Sequence, residues 1–346
     1  MMPFTEETEN TVRKSAFDVL TPELIFRSVE KATGKILSGL IYPLPSYINR
    51  VYELQDKDKG RLIAKFYRPG RWTQAALQEE HDFVLDCAAD EIPVVAPTRL
   101  LNGRTLDAVE GVYFAVYSKR LGRQFEITCD EDWTRLGRLA ARIHVAGARR
   151  KAEHRVRLDP QVSTAEDIRL LTCGDLMPPQ MKSSFRDIGN GILDEISELF
   201  SRSEFIRLHG DCHRGNLLEH PDEGLRIIDF DDMMIGPPIQ DIWLLLPSRA
   251  QECRREIDLI LKGYEQFRAF DATSLRLIEP LRAMRMIYFL AWCGRQKDDY
   301  RFRETFPDWG KPGFWQREIA DLTRQLQVIQ AEKRLRKAVL SFSRRQ

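Results

Sequence analysis

Apolar positions fall in short alternating runs over the first third of the chain and recur at three- to four-residue spacing over the rest. Between Ser38 and Phe66 the runs LIYPL, RVYEL and RLIAKFY have β character. They are separated by PSYIN and by QDKDKG, a polar turn with Gly60 near its end. GVYFAVYS at Gly111–Ser118 is apolar on both faces, as a central strand would be. A first helix is predicted over Thr21–Ala32, opening at Thr21 or Pro22. A second is predicted over Arg71–Ala89, where Trp72, Ala76, Glu80, Phe83, Val84 and Cys87 repeat at helical spacing, and Pro93 and Pro97 break the chain after it. Beyond LGRQFE the helical period dominates. Asp130–Val145 puts Trp133, Leu136, Leu139, Ala140 and Ile143 on one face. Ser163-x-x-Glu166 reads as a capping box for a helix through Leu171, and Phe185–Phe200 repeats the pattern with Ile188, Ile192, Ile196 and Leu199. Further helices are expected around Ile239–Leu246, Glu256–Phe267, Ser274–Cys293 and Trp315–Ala338. The pattern predicts an α+β, bilobal chain: a small β-rich N-terminal lobe over residues 1–118 and a larger, mostly helical C-terminal lobe over 119–346, joined near 118–122.

Composition adds mainly exclusions. The chain has 346 residues, enough for two lobes with a real core, and is 43% hydrophobic and 30% charged, within the ordinary globular range. Lys+Arg 53 against Asp+Glu 52 leaves a net charge of +1, which gives no global pull toward nucleic acid or acidic membranes. No apolar run approaches the roughly 20 residues of a membrane span. The opening MMPFTEETENTVRK is polar, with no apolar core of the kind a signal peptide carries. The six cysteines (87, 129, 173, 212, 253 and 293) are scattered without C-x-x-C, which points to reduced thiols, a cytoplasmic location and no zinc site. A monomer with neither nucleic-acid nor membrane partners is expected.

The chemistry sits in two segments, RLHGDCHRGNLL at Arg207–Leu218 and LRIIDFDD at Leu225–Asp232. An H-x-D-x-x-x-x-N loop followed by a strand ending in D-F is how kinase-type phosphoryl transfer is assembled. In that reading Asp211 accepts a hydrogen bond from the acceptor hydroxyl, and Asn216 and Asp229 ligate Mg²⁺ through hard oxygens, Asp229 counting also as catalytic. Asp231 and Asp232 lie either near a second metal or toward solvent. His209 packs beneath the loop, while His213 touches substrate or backbone. Asp241, in PPIQDIW, either braces the loop by accepting backbone hydrogen bonds or caps its own helix. Upstream, Leu62-Ile63-Ala64-Lys65 matches the strand whose Lys grips the ATP phosphates, with Glu80 as its partner and Glu79 as the solvent-facing alternative. No G-x-G-x-x-G loop is present. PSYINRVYEL stands in its place, where Ser46, Tyr47, Asn49 and Arg50 either cover phosphates or form an ordinary hairpin turn. Tyr117–Lys119 would be an inter-lobe hinge whose backbone reads adenine. The basic tail Lys333–Arg345 reads as a solvated helix end rather than a nucleic-acid or lipid contact, and Ser341 and Ser343 are conceivable phosphorylation sites.

These residues resemble the aminoglycoside-phosphotransferase/choline-kinase branch of the protein-kinase-like fold, where H-G-D-x-H-x-x-N replaces H-R-D-x-x-x-x-N. Within it, SYINRVYEL, AKFYRPGRWT, EEHDF, IPVVAP, YFAVYS, GRQFE, LGRLAARIH, HGDCHRGN, IDFDDMMIGPPIQDIW and FPDWG are similar to the bacterial stress response kinase A (RdoA) family. These phrases run from about residue 35 to 315. The resemblance implies an ATP- and Mg²⁺-dependent Ser/Thr protein kinase of the cytoplasm, acting in envelope or oxidative stress. It implies Asp211 as proton acceptor, Asn216 and Asp229 as Mg²⁺ ligands, and Ser46 and Lys65 at the ATP site. Glu219 departs from it, standing where an aromatic residue is expected after the N-x-L run. The same fold supports a small-molecule hydroxyl kinase of aminoglycoside, choline or homoserine type. A cationic acceptor of that kind would call for an acidic pocket, for which Glu166, Asp167, Glu195 and Glu198 are available. A non-catalytic nucleotide-binding regulator is the third reading, and intact Lys65, Asp211, Asn216 and Asp229 argue against it.

Overall fold

The computed structural model describes residues 17–299 and 302–343, with the backbone alone over 337–343. The opening MMPFTEETENTVRK, the last residues of the basic tail and the side chains of Ser341 and Ser343 lie outside the described residues. The chain divides into two compact units, one holding the residues through Gln74 with Pro97–Lys119, the other Ala75–Ala96 with everything from Arg120. The helix that follows the third strand therefore counts with the second unit, not with the strands that precede it.

The first unit opens with helix α1 (Pro22–Thr33). Thr21 caps it by accepting the Leu24 N–H at 3.2 Å, Pro22 occupies the first turn, and Gly34 ends it in the left-handed region at φ 72°. The strands β1 (Leu37–Leu44), β2 (Arg50–Asp56), β3 (Arg61–Phe66), β4 (Asp107–Val109) and β5 (Val112–Ser118) form one antiparallel sheet in the order β1-β2-β3-β5-β4. GVYFAVYS is interior to the sheet, as its two apolar faces predict. Phe66 stacks on Phe114 at 5.2 Å, and Leu54, Leu62, Ala64 and Val116 join Ile25 and Val29 of α1 in a separate small core.

The second unit contains α2 (Gln74–Ala89), β6 (Arg123–Gln124), α3 (Asp130–Ala148), α4 (Ala165–Cys173), α5 (Pro179–Phe200), β7 (Ile206–Leu208), β8 (Leu217–His220), β9 (Gly224–Ile227), β10 (Met234–Gly236), α6 (Ile239–Trp243), α7 (Arg254–Tyr264), α8 (Ile278–Gln296), α9 (Phe302–Thr305) and α10 (Pro312–Ser343). The α+β class holds, with strands reduced here to the pair β7/β10 and the triplet β6-β8-β9. Leu136, Ile143, Phe185, Ile192, Ile242, Ile260, Ile287 and Trp315 share one core. Helices α3 and α7 meet backbone to backbone: a Cβ on Gly137 would lie 1.9 Å from the Ile260 carbonyl, and one on Gly263 2.0 Å from that of Thr134. Two expectations need correction. Ser163 does not cap α4, because the turn begins earlier, at Pro160, where Asp159 accepts the Gln161 N–H at 3.0 Å and Ser163 Oγ donates to the Asp159 carbonyl. Helix α6 stops at Trp243 instead of running to Leu246, since Pro247 disfavours helical backbone just before it.

Candidate active site

The loop that carries Asp211 starts from β7, whose three residues are buried and pair with β10. The chain turns at Gly210, at φ +84°, where a Cβ would fall 2.1 Å from the Asp232 carbonyl oxygen. Only glycine permits so close an approach of the two loop segments. Asp241, near the start of α6, accepts the backbone N–H groups of His209 and Gly210, each at 2.9 Å. Its Oδ2 also lies 3.2 Å from buried His144 Nε2. The far ring nitrogen of His144 is 2.9 Å from the Tyr264 hydroxyl, which takes a hydrogen bond from Arg268 at 3.2 Å, and Arg268 pairs with Glu204 at 2.7 Å. Burial pushes the Tyr264 hydroxyl up to about 12, so it remains a donor throughout. His209 bridges the two candidate segments: its Nδ1 accepts the Asp211 N–H at 3.3 Å, which assigns the ring proton to Nε2, 2.9 Å from the Ile228 carbonyl. Its ring lies 4.4 Å from Phe230, which in turn stands edge-on to Phe83 of α2.

Asp211 is held by two side chains, Arg285 and His213. Arg285 of α8 reaches Oδ1 at 2.6 Å, and His213 Nε2 lies 3.3 Å from Oδ2. Burial alone would raise the carboxyl, but the His213 hydrogen bond and the Arg285 charge hold it well below the usual carboxylate range. The same hydrogen bond raises His213 above its ordinary value. Asn216 donates its Nδ2 to the Asp211 carbonyl at 3.0 Å, so its Oδ1 is the atom it can offer a ligand. Its own carbonyl accepts the Ile228 N–H at 3.0 Å, fixing it beside the segment that ends in Asp229. Asp229 is exposed and adopts the left-handed conformation at φ 64°, ψ 69°, which L-residues other than Asn and Asp rarely enter. An amide oxygen and a carboxylate on two cross-linked segments suit Mg²⁺, which takes one or two protein carboxylates and completes its shell with phosphate and water. Asp231 is buried, and its carbonyl accepts the Arg155 guanidinium, so it is not the solvent-facing residue that the sequence allowed. Asp232 accepts the Tyr288 hydroxyl at 3.4 Å.

Glu80 is buried on α2, with Arg155 3.7 Å from its carboxylate. Arg155 also donates to the Met233 carbonyl at 2.8 Å, so it ties α2 to the turn after Asp229. Glu79 is not simply turned to solvent: it accepts the N–H groups of Glu153 and His154 at 2.7 and 2.9 Å.

In the first unit Lys65 is buried in β3 between Val51 and Ala115, its ammonium 5.1 Å above the Tyr67 ring. Ser46 Oγ accepts the Asn49 N–H at 3.3 Å, closing the loop between β1 and β2. Arg50 donates to the carbonyls of Tyr47 and Asn49, so its guanidinium serves the loop instead of pointing outward to a phosphate. Tyr117 places its hydroxyl 3.0 Å from that of Tyr67. Lys119 pairs with Glu53 at 2.6 Å and gives its N–H to the Arg61 carbonyl, so neither group is what it would offer a base.

Sequence reasoning missed Arg285, Arg155 and His144. His144 had a signal, a polar residue at helical spacing from the buried positions of LGRLAARIH. The arginines had none, because their partners are remote in sequence. Glu219, the departure noted above, pairs with Arg135 at 2.9 Å and Arg123 at 3.7 Å, which explains a charge in β8 where an aromatic residue was expected. Of the acidic residues offered for a cationic acceptor, Asp167 pairs with Arg295 and Glu195 with Lys333, both at 2.6 Å, while Glu166, near Arg169, and Glu198 lie at the surface.

Comparison with known proteins gives the family. Residues 41–278 match the model described as "Phosphotransferase enzyme family" (APH). Stress response kinase A of Escherichia coli (strain K12) is 38% identical over 316 residues, 91% of this chain and 95% of that protein. Serine/threonine protein kinase RdoA of Salmonella typhimurium is 37% identical over 319 residues, 90% and 94% of the two chains. The structure of amicoumacin kinase hAmiN in complex with AMP-PNP, Ca²⁺ and Ami superposes with a TM-score of 0.70 at 19% identity, over 92% of this chain and 94% of that one, which shows a shared fold. The chain belongs to the phosphotransferase enzyme family, among the stress response kinase A proteins, and is a kinase.

Proposed function

We propose that this kinase transfers the γ-phosphoryl group of ATP, with Mg²⁺, to serine and threonine hydroxyls of proteins in a bacterial stress response. The observation that carries the reading is the Asp211 carboxylate, ionised and fixed on a loop braced from below by Asp241. Asp211 aligns the acceptor hydroxyl and takes its proton as the new P–O bond forms and ADP departs. Asn216 Oδ1 and Asp229 would hold the divalent ion, which neutralises phosphate charge when bound. Lys65 and Ser46 are proposed for the nucleotide phosphates, and Tyr117 for the adenine. Two observations favour a protein acceptor. The relatives similar over nearly the whole chain include one named as a Ser/Thr protein kinase. In addition, Asp211 is already paired with Arg285, so its carboxylate is not a free anionic site for the amines of an aminoglycoside or amino alcohol.

The test is incubation with radiolabelled ATP and Mg²⁺, comparing wild type with Asp211→Ala. Carrier proteins, acidic and basic, are offered in one set and a panel of aminoglycosides and amino alcohols in another. We expect label on protein in the wild type and none with Asp211→Ala, whose circular dichroism stays native. Label confined to small molecules, or near-normal turnover by the variant, overturns the reading.

A further inference from the structure

Helix α8 presents one continuous stripe beginning at the candidate base. Arg285, Tyr288, Phe289 and Trp292 stand at i, i+3, i+4 and i+7, the spacing of a single helix face. Arg285 touches Asp211 and Tyr288 touches Asp232. Phe289 is 45% exposed, stacked at 6.0 Å on half-buried Trp292, with Phe306 edge-on to both. Phe289, exposed beside half-buried Trp292 and next to the candidate catalytic side chains, offers an apolar contact to a bound chain. Arg285 is only partly buried, and its single hydrogen bond among the described residues goes to Asp211, so most of its five N–H donors remain to be matched. Its neighbour Arg282 differs: it is committed to Glu279, the Ser248 carbonyl and the Trp243 ring.

We propose that this face of α8 reads the acceptor, with Arg285 taking a carboxylate side chain beside the reacting hydroxyl and the Phe289–Trp292 pair taking an apolar side chain farther out. The inference rests on the protein-hydroxyl reading above and names its substrate class: serines and threonines in acidic segments that carry a nearby aromatic or aliphatic residue. Charge complementarity favours the acidic neighbour, since among the described residues Arg285 is the permanently charged basic side chain in contact with Asp211. The helix rise fixes the spacing. Residues 285 and 292 are about 10 Å apart along the axis at roughly 1.5 Å per residue. An extended peptide covers that distance in about three residues.

The experiment is a positional-scanning library of Ser/Thr peptides, phosphorylated by the full-length protein with radiolabelled ATP and Mg²⁺. Wild type should favour Asp or Glu over Lys or Arg beside the hydroxyl by roughly threefold to tenfold, the range of a partly exposed charge-assisted pair. It should also favour Phe, Leu or Trp about three residues away. Phe289→Ala, a residue outside the Asp211 contacts, should flatten the distal preference and leave the near one in place. A wild-type library labelled without acidic preference overturns the inference and leaves the protein-kinase reading intact. A library left unlabelled, with label on an amino alcohol or aminoglycoside, overturns both.

Discussion

Asp211 and His213 titrate in opposite senses, and each signals the other. The Asp211 carboxyl is depressed, so its contribution to stability is complete above the ordinary Asp value of about 3.9 and is lost as the pH falls through the lower folded value. His213 is raised, so its contribution is complete below about pH 6.5 and is lost as the pH rises through the higher folded value. We therefore expect the His213 imidazole, followed by NMR, to titrate above about 6.5 in the wild type and to fall back in Asp211→Asn. An unshifted wild-type titration would contradict the pairing. Asp229 adds a conformational signature, because its left-handed backbone favours glycine over alanine at that position. Asp229→Gly and Asp229→Ala should both lose phosphoryl transfer. The glycine variant should nevertheless be the more stable by about 1 kcal/mol in thermal melting, since it relieves the positive φ. Equal stability of the two would argue against the strained geometry.

At the scale of elements, the loop that carries Asp211 depends on α6, α3 and α7 more than on its own residues. Asp241→Ala would leave two buried N–H groups and His144 without their acceptor, and we expect a loss of about 3–5 kcal/mol in urea denaturation. Gly263→Ala would drive a methyl into the Thr134 carbonyl, separating α7 from α3 and with it Tyr264 from His144. Its melting temperature should fall by several degrees, as about 2 kcal/mol or more implies. The sequence placed Asp241 near a helix start, where capping and bracing look alike; only the return of β7 beneath α6 decides between them. Likewise Ser163-x-x-Glu166 satisfies the local rule for a helix start, yet the cap at Asp159, four residues earlier, wins, because Pro160 presets the turn.

Across the whole molecule, the strands of the first unit and the long helices of the second were legible because period-two and 3.6-residue patterns need no tertiary knowledge. The loop spacing likewise singled out Asp211, Asn216 and Asp229 as candidates, which lie on two segments joined through Asn216. What stayed hidden was long-range pairing: Arg285 lies 74 residues from Asp211 and Arg155 76 residues from Asp231, and no local pattern marks either. Nor did periodicity show that α2 belongs with the second unit, because a helix's apolar stripe does not say which core it meets. Nucleotide gives a molecule-wide test. An ATP analogue with Mg²⁺ at 100 times its Kd should stabilise the protein by about 2.7 kcal/mol, and the Mg²⁺-dependent part of the thermal shift should vanish in Asp229→Ala. A Mg²⁺-dependent shift kept by the variant would remove Asp229 from the metal. The Asp241 carboxylate, finally, has a consequence for how the enzyme fails. The amide protons of His209 and Gly210 that it binds lie in the interior, so they can exchange with solvent only when the surrounding helices come apart. They will be among the slowest protons in the chain to exchange, and heat inactivation will coincide with melting of the second unit, without an earlier phase in which a folded protein has lost its loop.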